Sequence, residues 1–290
     1  MNNSGFVNVN ISMDLNGLSK SLWEMYWQWT LLHPKAENEY DDLSQCMMQM
    51  IIVKTRTMEQ MINGVPIYPE MPQLGSILDI SSMSAIVRSL YESAYVYHSI
   101  FVDKDSLDER DILLCLWRIR GLNNIRKFPI PSELKDVIKP NDKAEIEKYR
   151  KKVDEILNRV QITDLAKKDI LSIVNNPGTF IKGYKLVKND EGKITGIKEF
   201  GFTDTSFLFG HNNYKEWYTF LSSHSHPSYY GFSEFGSMYQ NNHDKDILIG
   251  LIMMAHSILA QFIRDWCSVV SDGDEVKRKV FPIISSIDFM

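Results

Sequence analysis

The 290-residue chain predicts a mostly α protein, a helical bundle interrupted by one small β-hairpin. Three observations carry that expectation. Apolar residues recur at three-to-four spacing over long stretches, prolines fall between those stretches rather than inside them, and alternating β-prone residues are confined to one short region.

Element by element, "LSKSLWEMYWQWTLLH" (18–33) predicts a first helix rich in Trp and Tyr, closed by Pro34. "NEYDDLSQCMMQMIIVKTRTMEQMING" follows, acidic at its start and ending on Gly64, as the helix dipole and a glycine C-cap require. These two helices are expected to pair antiparallel, and "VPIYPEMPQLG" is expected to be a bare connector. A long amphipathic helix then places Ile86, Leu90, Ala94, Tyr97 and Phe101 on one face. The next begins at Ser106, with Glu109 three residues on to complete a capping box.

From about Lys139 the composition turns charged, and "KAEIEKYRKKVDEILNRVQ" and "ITDLAKKDILSIVNN" read as two solvated helices at a bundle edge. "YKLVKNDEGKITGIKEF" predicts a hairpin turning on Asn189 to Gly192, projecting from the bundle because its tip is too polar to bury. It lies in an insertion, 177–209, within a single domain spanning 1–290. Helix resumes at "NNYKEWYTFLSSHS", and the run Ile247 to Ile263 predicts a core helix, with Asp244 as its N-cap. That run contains His256, Ser257 and Gln261 and falls short of the ~20 apolar residues that span a bilayer, so no membrane association is expected. The opening residues, expected to form a loose arm, show neither the basic nor the apolar part of a secretory signal.

Composition narrows function by exclusion. There are 32 Lys+Arg against 37 Asp+Glu, a net charge of -5, which argues against broad electrostatic attachment to nucleic acid while permitting a local basic site. Cys46, Cys115 and Cys267 are odd in number and sit in helical contexts, as reduced thiols of a cytoplasmic protein do. Phosphate-binding, dinucleotide, zinc-protease, paired-cysteine and esterase signatures are absent, and neither cofactor nor metal is expected. "NNHDKD" offers a His and an Asp, but reads as a polar helix start.

Two places draw polar residues into otherwise amphipathic helices. Arg88 and Glu92 lie four apart on the third helix, with Tyr91 and Tyr95 flanking the stripe. In "YTFLSSHSHPSYYG", Ser222 and His226 are likewise four apart, His224 points elsewhere, and Pro227 ends the helix near His226. A histidine near a helix C-terminus suits proton transfer. It is also a common capping residue, just as Arg88 and Glu92 are also a plain salt bridge. Buried polar groups find partners, so the two pairs are expected to face one another, with Tyr95, Ser222 and His224 available to bind an anion.

The pairing of "RSLYE" with "YTFLSSHSHPS" resembles a group of bacterial all-helical proteins with Arg-x-x-x-Glu and Tyr-x-x-Leu-Ser-x-x-x-His motifs, similar in architecture to the HEPN superfamily. The likeness covers about Leu78–Phe128 and Tyr214–Leu259. It implies a metal-independent ribonuclease of a bacterial antiviral-defence or stress system, with Arg88, Glu92 and His226 as catalytic residues and RNA as partner. The usual HEPN pairing of Arg and His on one helix is missing, so such a site would have to be assembled from two helices. The alternative class is an inert bundle working through protein contacts, as a sensor, antitoxin or scaffold. A homodimer through the Trp- and Met-rich first two helices is expected under either.

Overall fold

The computed structural model describes residues 11–36, 38–67, 70, 75–102, 104, 106–125, 133, 142–178, 183–203, 214–226, 228–241 and 243–280. The expected N-terminal arm, Pro227 and the last ten residues lie outside them. The protein is mostly α: the described residues contain ten helices and two small two-stranded sheets. The backbone divides into two compact units, 1–97 with 211–290, and 98–210.

In the first unit, α1 (Ile11–Leu32) and α2 (Glu39–Met61) form the expected antiparallel pair, tied where Gln49 Nε2 donates to Tyr26 Oη at 2.5 Å. Asn38 caps α2, its side chain accepting from the amides of Tyr40 and Asp41. Gly64, at φ 77°, turns the chain past α2, and a Cβ there would meet the Ile77 carbonyl oxygen at 2.9 Å. The connector that follows is not bare. Its ends pair as β1 (Val65–Pro66) and β2 (Ser76–Ile77).

Helix α3 (Ile80–Phe101) carries the chain from the first unit into the second, and α7 (Tyr214–Ser225), α8 (Tyr229–Gln240), α9 (Asp244–Val269) and α10 (Gly273–Val280) complete the first. The core is aromatic and hydrogen-bonded at the same time. Trp29 and Trp266 meet edge to face at 5.9 Å, Trp29 donating to the Ser271 carbonyl and Trp266 to that of Ser44. Ser44 shares a 2.8 Å hydrogen bond with Tyr97, whose ring meets Phe262. The inward side of α9 buries Leu251, Ala255, Ile258, Leu259 and Phe262, as the apolar run predicts. Asp244 is its first helical residue rather than its cap, a position taken by His243.

In the second unit, α4 (Leu107–Ile125), α5 (Asp142–Leu157) and α6 (Asp164–Asn175) share one core with the hairpin β3 (Gly183–Lys188) and β4 (Ile194–Phe200). This corrects two expectations. The charged helices α5 and α6 are not merely solvated, because Ile146, Tyr149, Val153, Ile156, Ala166, Ile170 and Val174 recur on single faces and are buried. The hairpin tip is exposed, with Asn189 accepting from the Gly192 amide, yet the strands do not project: Tyr184, Leu186 and Ile194 face the core. Ser106 caps α4 through the Glu109 amide, but the Glu109 carboxylate turns to Lys188 Nζ at 2.7 Å instead of closing the box. Arg120, nearly buried, donates to the Pro177 carbonyl at 2.5 Å and Glu199 at 2.6 Å, with its guanidinium over the Tyr184 ring.

Candidate functional site

The site lies wholly within the first unit, where α7 runs antiparallel along α3 from Ser81 to Glu92. Aromatic packing sets the crossing: Tyr91 lies 5.4 Å from Tyr218 and 5.8 Å from Tyr214, centroid to centroid. Ser81 Oγ adds a 2.9 Å hydrogen bond to the His224 carbonyl, using one of the acceptors a helix end leaves open. With the helices so placed, residues one turn apart on α3 (88, 92) meet residues four apart along α7 and just past its end (218, 222, 226).

Arg88 is the hub. Its Nε donates to Glu92 at 3.0 Å, Nη2 to the Tyr218 hydroxyl at 3.0 Å, and Nη1 both to Ser222 at 3.5 Å and to His226 Nε2 at 2.5 Å. The Tyr218 hydroxyl in turn donates to Glu92 Oε1 at 3.0 Å, closing a ring of three groups. Four of the five guanidinium N–H bonds are therefore engaged, and one on Nη2 has no partner among the described residues. A guanidinium accepts no hydrogen bond, so Nε2 of His226 is the acceptor, its lone pair aimed at Arg88 and its proton on Nδ1.

The electrostatics follow from partial burial. Burial works against the charge on Arg88, but Tyr218 and Glu92 outweigh it and raise the guanidinium above its ordinary range. Burial, helped by Glu92, raises the Tyr218 phenol and keeps it protonated. Side-chain exposures of 22% for Arg88 and 30% for Glu92 leave the pair within reach of a ligand, and His226 is exposed.

The structure thus brings together Arg88, Glu92, Ser222 and His226, while Tyr95 and His224 take other places. Tyr95 is completely buried, because one further turn along α3 points into the core rather than toward α7. His224 is buried against Phe220, at 4.1 Å, and meets Tyr230 edge on; its Nδ1–H donates to the Phe220 carbonyl at 3.0 Å. It holds the end of α7 rather than facing a ligand.

Two participants escaped the sequence reading. Tyr218 stands four residues before Ser222, so the same spacing argument extended one turn back would have found it. Lys54 comes from α2 and donates to Ser93 Oγ at 2.9 Å and toward the Ser89 carbonyl at 3.4 Å. Burial lowers its pKa, and Glu92 acts the other way. Its signal was a lone cation inside an apolar stretch, "MQMIIVKT". The His and Asp of "NNHDKD" are exposed, 3.6 Å apart, and no group of three or more metal-ligating side chains clusters among the described residues.

A polar ring of Arg, Glu and Tyr with an accessible imidazole can bind an oxyanion, neutralise charge developing on it, and accept a proton at one defined atom, Nε2. No known protein family, curated protein or solved structure matches this chain, so that chemistry rests on the geometry alone.

Proposed function

We propose that the protein is a HEPN-like, metal-independent endoribonuclease acting in a bacterial defence or stress system in the cytoplasm, with Arg88, Glu92 and His226 at its centre. One observation carries the reading: an exposed histidine accepts a hydrogen bond from an arginine that has one N–H without a partner among the described residues and is oriented by a carboxylate on its other side.

A phosphodiester entering at Arg88 competes with His226 for Nη1, and its arrival frees the Nε2 lone pair beside the scissile group. His226 then takes the 2′-hydroxyl proton, the bond from O2′ to phosphorus forms, and the bond to the 5′-oxygen breaks. The 5′-oxygen leaves with a proton from water, and the imidazolium returns its own to solvent. Arg88 offsets the growing negative charge, while Glu92 and Tyr218 fix its plane. Proton transfer of this kind contributes ~10²–10⁴ in rate.

The test pairs cleavage of a fluorescent RNA in the presence of EDTA with thermal melts. His226→Ala is expected to melt like the parent, since its side chain is exposed, and to lose at least ~100-fold in cleavage. A folded His226→Ala protein with full activity would eliminate the catalytic role.

A second reading, an inert bundle acting through protein contacts as a sensor, antitoxin or scaffold, is favoured by a different observation. Trp23, Trp27 and Leu31 of α1 and Met50 and Val53 of α2 are all exposed, and Trp23 and Val53 line a groove of about 460 Å³. Under that reading Trp27→Glu splits a homodimer in sedimentation, and neither protein cleaves RNA.

A further inference from the structure

Resting on the reading of Arg88 and His226 as a phosphodiester site, we propose that α8 is a base-stacking platform for single-stranded RNA, with Tyr229 and Phe232 receiving bases next to the phosphate held at Arg88.

Helix α8 is unusual in what it shows to solvent. Tyr229 is 91% and Phe232 71% exposed, Tyr230 and Phe235 are also exposed, and Met238 is the helix's one fully buried residue. Together the four rings present on the order of 500 Å² of apolar surface, near the upper end of what a monomer leaves uncovered without using it. Tyr229, Phe232 and Phe235 follow each other at three-residue spacing and form a slowly turning stripe. The helix's one charged residue, Glu234, lies roughly 140° from Tyr229, roughly 160° from Phe232 and roughly 100° from Phe235 around the axis.

The platform is fixed in place and joined to the site. Ser228 Oγ donates to the Ser223 carbonyl at 3.0 Å and accepts from the Gly231 amide at 3.0 Å, capping α8 against the end of α7. The fit at Gly231 is tight, since a Cβ would stand 3.0 Å from the Ser223 carbonyl oxygen and 3.3 Å from that of His226. Tyr230 packs edge on against His224, and at the far end Tyr239 donates to the Leu78 carbonyl. Tyr229 follows His226 by three residues, so the backbones of the two are no more than about 11 Å apart.

The chemistry of the occupant follows from this juxtaposition. Helix α8 has no Lys or Arg, and the stripe begins three residues after His226, the residue that Arg88 touches. A ligand satisfying both must bring flat apolar faces and negative charge in alternation, as a nucleotide chain does. It must also be single-stranded, because a duplex already stacks its bases internally, whereas unpaired bases are free to lie on aromatic side chains.

The experiment measures fluorescence anisotropy of a 2′-O-methylated, hence uncleavable, single-stranded RNA and of the same sequence as a duplex. The variants are Tyr229→Ala/Phe232→Ala and Arg88→Ala, each with a melt and a sedimentation run. We expect the parent to prefer the single strand and the double variant to lose roughly 100-fold in affinity, about tenfold per ring, with its melt unchanged. If the double variant binds and cleaves like the parent while His226→Ala is inactive, the platform is overturned and the ribonuclease reading stands. If the parent neither binds nor cleaves RNA, the ribonuclease reading fails and takes the platform with it. A smaller sedimenting mass for the double variant would assign the stripe to a second copy of the chain and overturn the proposal.

Discussion

Arg88→Ala asks how much of the polar ring is architecture. The substitution removes hydrogen bonds to Glu92, Tyr218, Ser222 and His226, together with the guanidinium standing 5.1 Å from the Tyr218 ring centre. For an exposed ion pair the loss would be about 0–1 kcal/mol, and for a fully buried one about 3–5 kcal/mol. With 22% and 30% of the two side chains exposed, the pair lies between those limits. Glu92 is not stranded either, because Tyr218 still donates to it at 3.0 Å. We therefore expect a loss of about 1.5 kcal/mol, read by urea titration, and a melting point lower by about 3–6 °C. A double-mutant cycle with Glu92→Gln is expected to return a coupling of at least ~0.5 kcal/mol. A loss above about 3 kcal/mol would show a buried structural pair; coupling indistinguishable from zero would show that the ring does not act as a unit.

Other outcomes follow from features of both units. Arg120→Met keeps the length of the stem but strands the Pro177 carbonyl and removes one partner of Glu199, so unfolding should become easier by about 1–3 kcal/mol in denaturant titration, and an unchanged midpoint would contradict the packing described. Burial pushes the thiols of Cys115 and Cys267 up to about 12, while Cys46 is exposed; an aromatic disulfide reagent at neutral pH should titrate one thiol in the native chain and three after denaturation. Burial also holds Lys54 below its ordinary 10.5. Between its lowered value and 10.5 the unfolded chain binds more protons than the folded one, so stability rises with pH across that window. Lys54→Met should flatten this rise, and parallel stability curves for the two proteins would rule it out.

Much of the fold was legible because periodicity survives any context. The long helices and the hairpin follow from spacing, as does the facing of Arg88 with His226, since each pair had to find partners somewhere. What was missed has identifiable causes. Helix α8 was overlooked because "YYGFSEFGSMYQ" contains two glycines and has no apolar inward face, and helix propensity yielded there to a serine cap and tertiary docking. The burial of α5 and α6 was hidden by the charge that surrounds their apolar positions. Lys54 could not be placed from sequence, because its partners stand 35 and 39 residues away on another helix. His224 and His226 looked alike in composition, and only the packing of Phe220 and Tyr230 separates a buried ring from an exposed one.

The two units differ in how their chain is arranged, and this orders events on the ribosome. Residues 98–210 are one uninterrupted stretch, so that unit has all of its core once it has emerged. The other cannot close until late: Trp29 waits for the carbonyl of Ser271, and His33 for the carboxylate of Asp272, across 242 and 239 residues of intervening chain. Closing so long a loop costs entropy before any contact offsets it. During synthesis the first helix pair must therefore stand with its aromatic side uncovered while the middle of the chain folds ahead of it. Arg88, too, is translated long before His226, so the polar ring forms only after the chain through His226 has left the exit tunnel, and a chain truncated before that point carries the arginine without its histidine.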